Sequence, residues 1–394
     1  MKTPYFLINE AEINKNVNEF KAALKKYWSN SVLAYSVKTN SLPWILEYMN
    51  KSAVFAEVVS DEEYQLAIKC GFSDDRIVFN GPIKGEEYFL RAIEKRAVVN
   101  IDSEKELECL SKNEKVKLSE IGIRLNVDIG VFPEGDVDYR EDGFRFGFSH
   151  EACGLKRALD RIRQINENCR IGLHLHCNSI TRSLDVYRSI SKYTAMIVET
   201  YGLTPSYIDV GGGFFGGVAG KPTAEEYISV IAQELSRVVD PKETRLIIEP
   251  GSAMIGSAVD LHSSVLDVKS NNRSRIITTD ASRILIDPLW KKSRYFYSVN
   301  GDPDGAVEEK QIVCGYTCMD FDRIMVLKDQ RALSVGDKIV YHKVGAYTMT
   351  FGGPFIRYYP AVYVKSGTEI KKVRQRMSVD SYYSIHKTEE ENEH

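Results

Sequence analysis

Short apolar runs alternate with polar, helix-like stretches over most of the chain. Val32–Val37, Val54–Val59, Arg76–Asn80, Ala97–Ile101, Glu120–Asn126, Arg170–His174, Tyr207–Val210 and Arg245–Glu249 are β-branched or apolar enough to read as strands buried on both faces. Between them apolar residues recur at three- and four-residue steps, as in Ala224–Leu235 and in Ser60–Lys69, where Ser60 and Glu63 form a capping-box pattern. This alternation predicts a (β/α)8 TIM barrel over residues 26–250. An open doubly wound sheet alternates in the same way, and periodicity does not separate the two.

After Pro250 the texture changes. Strand-like runs at Ser264–Val268, Arg275–Thr279, Gln311–Cys314, Lys338–His342 and Ala361–Val364, with turn residues between them, predict an all-β domain, a sandwich or barrel, over residues 251–394. Tyr5–Ile8 also reads as a strand and is expected to join that sheet, so residues 1–25 are assigned to the same domain. The polar, acidic stretch from His386 to His394 is expected to fray.

Composition narrows the function. With 394 residues, 43% hydrophobic and 27% charged, the chain is globular and has length for a large domain and a smaller one. A net charge of −3 without basic blocks argues against nucleic acid or an anionic membrane as partner. No window approaches the roughly 18 uninterrupted apolar residues of a membrane span, and Met1–Ile13 lacks the apolar core of a secretory signal, so a cytoplasmic protein is expected. Seven scattered cysteines without a CxxC pair suit neither a disulfide framework nor a zinc ribbon, and no metal is expected. Small-molecule chemistry is the default.

In a barrel that chemistry gathers at the carboxyl ends of the strands. Those ends carry Lys38 (in AYSVKTN), Ser60, Asn80, Arg124, then LHLHCNS at 173–179, DVGGGFFGG at 209–217 and EPG at 249–251. Each has an ordinary explanation: a solvated lysine, a tight turn at Gly211–Gly213, a hydrogen-bonded His174–His176 pair on one strand face. Glu249 at the end of an apolar strand costs free energy unless it meets a cation or donor. Together, a strand-end lysine, successive amides able to hold a phosphate, a flat imidazole and a buried carboxylate match what pyridoxal 5′-phosphate requires.

The same segments resemble the fold-type III pyridoxal-phosphate decarboxylases, the group of diaminopimelate, ornithine and arginine decarboxylases, and more distantly the alanine racemases; the likeness covers nearly the whole chain. It implies that Lys38 binds the cofactor covalently, with Glu57 and Ser60 in the neighbouring strand-end motif; Arg124, at its own strand end, is a further candidate cofactor ligand. His176-Cys-Asn-Ser179 resembles the family's His-x-Gly-Ser, which implies that His176 stacks on the cofactor ring and Ser179 faces the phosphate; Asn178 departs from the usual glycine. Gly211, Gly212 and Gly213 would be phosphate ligands. Glu249-Pro-Gly251-Ser resembles Glu-Pro-Gly-Arg, so Glu249 would keep the pyridine nitrogen protonated, while Ser252 replaces the family's arginine.

In the second domain Thr317-Cys318 resembles the active-site cysteine motif, and Gly345-Ala-Tyr347 the motif whose tyrosine reaches the phosphate. The resemblance implies a homodimer with shared active sites, in which Cys318 protonates Cα from the second subunit. The residue after the cysteine usually recognises the distal end of the substrate and is acidic; here it is Met319, with Asp320 and Asp322 as residues that could swing in. The expected reaction is decarboxylation of a diamino-acid derivative with a modified distal amine, such as an N-citryl or N-acyl conjugate of siderophore biosynthesis. Arg145 and Arg357 are candidate contacts for its extra negative charge. The alternatives are a diaminopimelate, ornithine or lysine decarboxylase, then a racemase or a non-catalytic regulator.

Overall fold

The computed structural model describes residues 1–113, 117–139, 141–301 and 305–387. Residues 388–394, the end of the stretch expected to fray, lie outside the described residues. The chain forms two compact units, Lys15–Met254 and Met1–Asn14 with Ile255–His394.

In the first unit eight parallel strands close on themselves: Ser31–Ser36, Phe55–Val58, Ile77–Phe79, Val98–Ile101, Glu120–Asn126, Arg170–His174, Tyr207–Asp209 and Arg245–Ile248. Closure is set by the pairing of Leu246 with Ser31, and of Asn100 with Gly122 between the fourth and fifth strands. The barrel is therefore the fold, and the open sheet is not. Apolar interior residues explain why it closes: Val32, Ala34, Val78, Val98, Tyr207 and Ile247 form one buried cluster. The Tyr207 ring fills the space that side chains at Gly122 and Gly172 would need, so both positions call for glycine; even one methyl there overpacks the interior, at roughly 1–3 kcal/mol.

The intervening helices bury one stripe each. Gly154–Ile165 turns Leu155, Ala158, Leu159 and Ile162 inward, the three- and four-residue spacing of an amphipathic helix. Starts are set by capping side chains. Ser103 and Glu106 form a complete box, as do Thr223 and Glu226. The box expected at Ser60 is offset by one residue: Ser60 Oγ accepts from the Glu63 amide at 3.2 Å, but Glu63 reaches back to the Val59 amide at 2.9 Å. Among the described residues no helix is long and apolar enough to cross a membrane.

The second unit is a mostly antiparallel sheet. Its main path runs Arg323–Arg331, Val307–Cys314, Arg275–Thr279, Val259–Ser270, Tyr5–Asn9, Ala361–Ser366, Glu369–Arg374, with Phe296–Asn300 and Lys338–His342 branching from Val259–Ser270. Tyr5–Asn9 does join this sheet, antiparallel to Val259–Ser270 and parallel to Ala361–Ser366. Three of the strands are not predicted by the pattern. Glu369–Arg374 and Phe296–Asn300 are solvated edges that bury almost nothing, and Arg323–Arg331 buries only Ile324 and Leu327, so no alternation of apolar residues marks them. The unit also departs from an all-β reading at the helix Val379–His386.

Candidate active site

The first barrel strand does not run straight into solvent. After Ser36 the backbone tightens into a 3₁₀ turn, Val37–Thr39, which buries Val37 and Thr39 and leaves Lys38 at the rim with 37% of its side chain exposed. Its ammonium donates to Glu57, at the end of the second strand, at 2.6 Å. Glu57 is buried and also accepts from Ser36 Oγ and, at 3.2 Å, from Asn80 Nδ2. Burial disfavours its charge, but Lys38 and these donors outweigh that and hold its pKa below the usual carboxylate value.

Asn80, ending the third strand, bridges two carboxyls: the same amide donates to Glu249 at 2.6 Å. Its carbonyl accepts from Asn100 Nδ2 at 2.8 Å, and Asn100 also donates to Asp209 at 3.3 Å. Asp209 and Glu249 are hydrogen-bonded to each other, which closes a ring of four side chains from the ends of four strands. Burial, then the neighbouring carboxyls, push Glu249 well above its ordinary pKa; burial pushes Asp209 up to about 7. Asp209 also accepts from the Gly211 amide at 3.0 Å, so the proton of the pair belongs on Glu249.

Two histidines border this ring. His174 is buried, neither ring nitrogen has a hydrogen-bond partner among the described residues, and its nearest carboxyl is Glu249 at 3.9 Å. His176 lies beyond the strand end, so the expected shared strand face does not hold for the pair. Burial, with Arg124 and Lys38 nearby, lowers both, His176 to about 3; both rings are neutral at physiological pH. His174, Asp209 and Glu249 each bring one ligand atom within 4.8 Å of the others, a spacing a cation could bridge.

The glycine loop fits against His176 and Glu249. The amides of Gly211 and Gly212 face inward, to Asp209 and to His176 Nδ1 at 3.4 Å. Two of the three amides expected to hold the phosphate thus have partners within the chain. A Cβ at Gly211 would press on the His176 ring at 2.7 Å, and one at Gly212 would meet the Glu249 carbonyl. Gly211 and Gly213 have φ of +67° and +93°, conformations costly for other residues. Gly251 packs against Thr39 and Ser36, letting the eighth strand end beside the Lys38 turn.

The other expected ligands are less free than their motifs suggest. Arg124 is buried and paired with Asp102 at 2.9 Å. The Ser60 hydroxyl is committed to its helix cap, and Ser179 Oγ donates to the Asp136 carbonyl at 3.1 Å while accepting from the Arg182 amide at 2.8 Å. Arg145 stacks on Phe146, 4.1 Å from the ring centroid, and borders a cavity of about 480 Å³ shared with Arg124, His176 and Asn178.

In the second unit Cys318 and Asp320 are exposed and Met319 is half-buried. Asp320 lies 3.5 Å from Arg323. Asp322 is buried and fixed, accepting from Thr317 Oγ1 at 2.8 Å and from the Arg283 amide at 3.0 Å, so it is a turn residue and does not swing. Tyr347, at φ +55°, sits edge-on to Phe351, and Arg357 stacks on Tyr316 at 5.0 Å.

Comparison with known proteins decides the chemistry. Residues 10–256 match the family described as "Pyridoxal-dependent decarboxylase, pyridoxal binding domain". The chain belongs to this family. It is 29% identical, over 97% of its length and 79% of the relative's, to a probable chloroplastic diaminopimelate decarboxylase of Oryza sativa subsp. japonica. It is 28% identical, over 88% and 83%, to the diaminopimelate decarboxylase of Archaeoglobus fulgidus. Among solved structures, a point mutant of Helicobacter pylori diaminopimelate decarboxylase complexed with L-lysine matches with a TM-score of 0.82 at 25% identity, over 98% of this chain and 97% of that one. An arginine decarboxylase of Paramecium bursaria Chlorella virus shares the fold, with a TM-score of 0.76 at 18% identity over 93% and 96% of the two chains.

The enzyme is thus a pyridoxal-phosphate-dependent amino-acid decarboxylase. Its residues fit that cofactor. The loop at Gly211 and Gly212 comes closer to the His176 ring and the Glu249 backbone than any side chain would allow, and a buried carboxyl carries a proton beside them. Asn100 has no place in the sequence reading, and Asn80 and Asp209 stand there at strand ends without a role. All three stand at carboxyl ends of strands, the rule that found Lys38 and Glu249.

Proposed function

We propose that this decarboxylase removes the α-carboxylate of an amino acid whose distal amine is modified, such as an N-citryl or N-acyl diamino acid of siderophore biosynthesis. One observation carries the reading. The residue after Cys318 is Met319, whose thioether cannot hold an ammonium, and Asp322, one of the two nearby acids, is locked in its turn. The other, Asp320, lies beside Arg323. Diaminopimelate itself is the second reading, favoured by the names of the relatives.

Lys38 is assigned as the covalent anchor, and Glu57 orients its amine at 2.6 Å. Bound pyridoxal phosphate supplies an electron sink for the bond that breaks at Cα. Glu249, which holds a proton in the ring of side chains with Asn80 and Asp209, is assigned to the pyridine nitrogen, and neutral His176 to the ring face. Gly213 and Tyr347 are assigned to the phosphate. With Ser252 in place of the family arginine, no cation at that position answers the phosphate or a distal carboxylate. Cys318 delivers the proton to Cα.

We assign this last role across a homodimer. Phe321, Phe351, Phe355 and Ile356 of the second unit are 64%, 50%, 47% and 49% exposed, which is apolar surface that a second copy would cover.

Steady-state kcat/KM for free diaminopimelate and ornithine against N-acyl and N-citryl ornithine tests the substrate reading. The conjugates are expected to win by on the order of a thousandfold, because burying an ammonium without a partner costs several kcal/mol. Efficient turnover of either free diamino acid, with no preference for a conjugate, overturns it.

A further inference from the structure

The turn that carries Cys318 and Met319 ends in Arg323, and Arg323 forms part of the wall of a cavity of about 720 Å³ within the sheet unit. Four more cations line that cavity: Arg283, Lys292, Arg294 and Lys310. Among the described residues no carboxylate lines it. Like charges gathered in one concave site repel one another, and an anion that enters relieves that repulsion.

The cluster is built, and is not a chance run of surface lysines. Asp287 fastens one side of it, accepting from the Arg283 guanidinium at 2.6 Å, from the Lys291 and Lys292 amides at 3.1 and 3.0 Å, and from the Tyr295 hydroxyl at 3.1 Å. Arg283 is further held 4.7 Å from the Trp290 ring centroid, its backbone amide is tied to Asp322, and its buried Nε has no partner among the described residues. The opposite side is the sheet, where Ile312 and Ile324 give a buried apolar floor. Asp287 offsets Arg283, and Asp320 lies 3.5 Å from Arg323. Among the described residues no carboxylate pairs with Lys292, Arg294 or Lys310. The cavity has the volume of a small-molecule site and an excess of positive charge.

We propose that this cavity binds a small polyanion of the chemistry of a di- or tricarboxylate, and that it is where the sheet unit holds the carboxylates of the substrate's distal arm. The second half rests on the reading of the substrate as a conjugate. The first half stands on the cavity alone. Carboxylate and phosphate share the chemistry that five cations recognise, so the probes must separate them.

The test titrates the holoenzyme calorimetrically with citrate, glutarate and inorganic phosphate at fixed ionic strength, in the wild type and in an Arg294→Gln/Lys310→Gln variant. Both substituted side chains are exposed, and an unchanged melting temperature establishes that the variant is folded. Citrate is expected to bind the wild type, with affinity reduced tenfold or more in the variant, since removing a charge-assisted hydrogen bond weakens binding by on the order of tenfold. KM for N-citryl ornithine should rise by a similar factor while kcat holds. Equal citrate affinity in wild type and variant overturns the site. Binding of phosphate without citrate overturns the ligand class. Citrate binding abolished in the variant, together with unchanged KM for the conjugate, overturns the distal-arm assignment while the anion site stands. If that variant instead abolishes citrate binding and free diamino acids are the better substrates, the substrate reading falls and the cavity is an independent anion site.

Discussion

Replacing Glu249 by glutamine should remove the carboxyl proposed to serve the pyridine nitrogen and at the same time stabilise the protein without its cofactor. Three carboxyl groups, those of Glu57, Asp209 and Glu249, are buried at one barrel rim, and Lys38 donates to Glu57. Asp209 has its pKa raised from 3.8 to about 7 by burial, and burial with the neighbouring carboxyls raises Glu249 well above its own ordinary value. A carboxyl raised in the folded state costs stability as pH climbs from its unfolded pKa to its folded one, and the cost is complete above the latter. Glu249 carries that cost through burial and the neighbouring Asp209 and Glu57 carboxyls, and glutamine in its place removes it. Glutamine at 249 keeps an oxygen for Asn80 and offers Asp209 a permanent N–H donor with no proton to lose.

The cofactor-free variant should be more stable than the wild type at pH 8 by on the order of 1–3 kcal/mol, the cost of an uncompensated buried polar group, and the gain should shrink as pH falls to 4.5. Turnover should fall by orders of magnitude in the same variant, the usual exchange between stability and a strained site. Melting curves at the two pH values, together with kcat, decide it. A variant that melts lower at pH 8, or shifts equally at both pH values, would show that the carboxyl pair is under no charge strain.

Lys38→Ala should abolish the visible absorbance of lysine-bound pyridoxal phosphate and lower turnover by several orders of magnitude while the barrel stays folded, because the residue stands on the rim; near-normal activity would refute the assignment. Cys318→Ala should keep the bound cofactor and its colour but slow product formation by about 10²–10⁴-fold. Mixing the two variants should restore part of the activity if sites are shared between subunits, and no recovery under conditions of demonstrated subunit exchange would place the site within one chain.

The barrel could be read from the sequence because its strands are buried on both faces, so apolar runs mark them even where boundaries slip by a residue. Val32–Val37 became Ser31–Ser36, and the slip has a cause: Lys38 leaves the strand on a 3₁₀ turn that claims Val37. The second sheet could be read only where it is buried. Glu369–Arg374 is solvated along most of its length and its stretch Glu-Ile-Lys-Lys-Val-Arg carries no apolar stripe. Motifs found the residues expected to meet the cofactor, but not the polar ring behind them. Asparagine at a strand end reads equally as a turn residue, and it takes the fold to show that Asn80 donates to Glu57 and Glu249 with one amide. The same limit explains Ser179, whose hydroxyl has local partners that spacing does not reveal, whereas the cap that holds Ser60 is legible in its spacing from Glu63.

The residues proposed to choose the substrate lie in a different part of the chain from those proposed to carry the reaction. Lys38, Glu57, His176 and Glu249 hold one another through Asn80, the glycine loop and Asp209, so changing any of them disturbs charge balance among three buried carboxyls. Such a network resists variation, since a half-satisfied buried network costs more than an apolar one. Positions 319 and 320 stand under no such constraint: Met319 is half-buried, Asp320 is solvated, and the turn holds its shape through Thr317 and Asp322 whatever occupies those two places. A change from acid to thioether at position 319 therefore leaves the fold of the turn intact. On the proposed reading, the cations that line the cavity with Arg323 would set which charge the distal arm must carry.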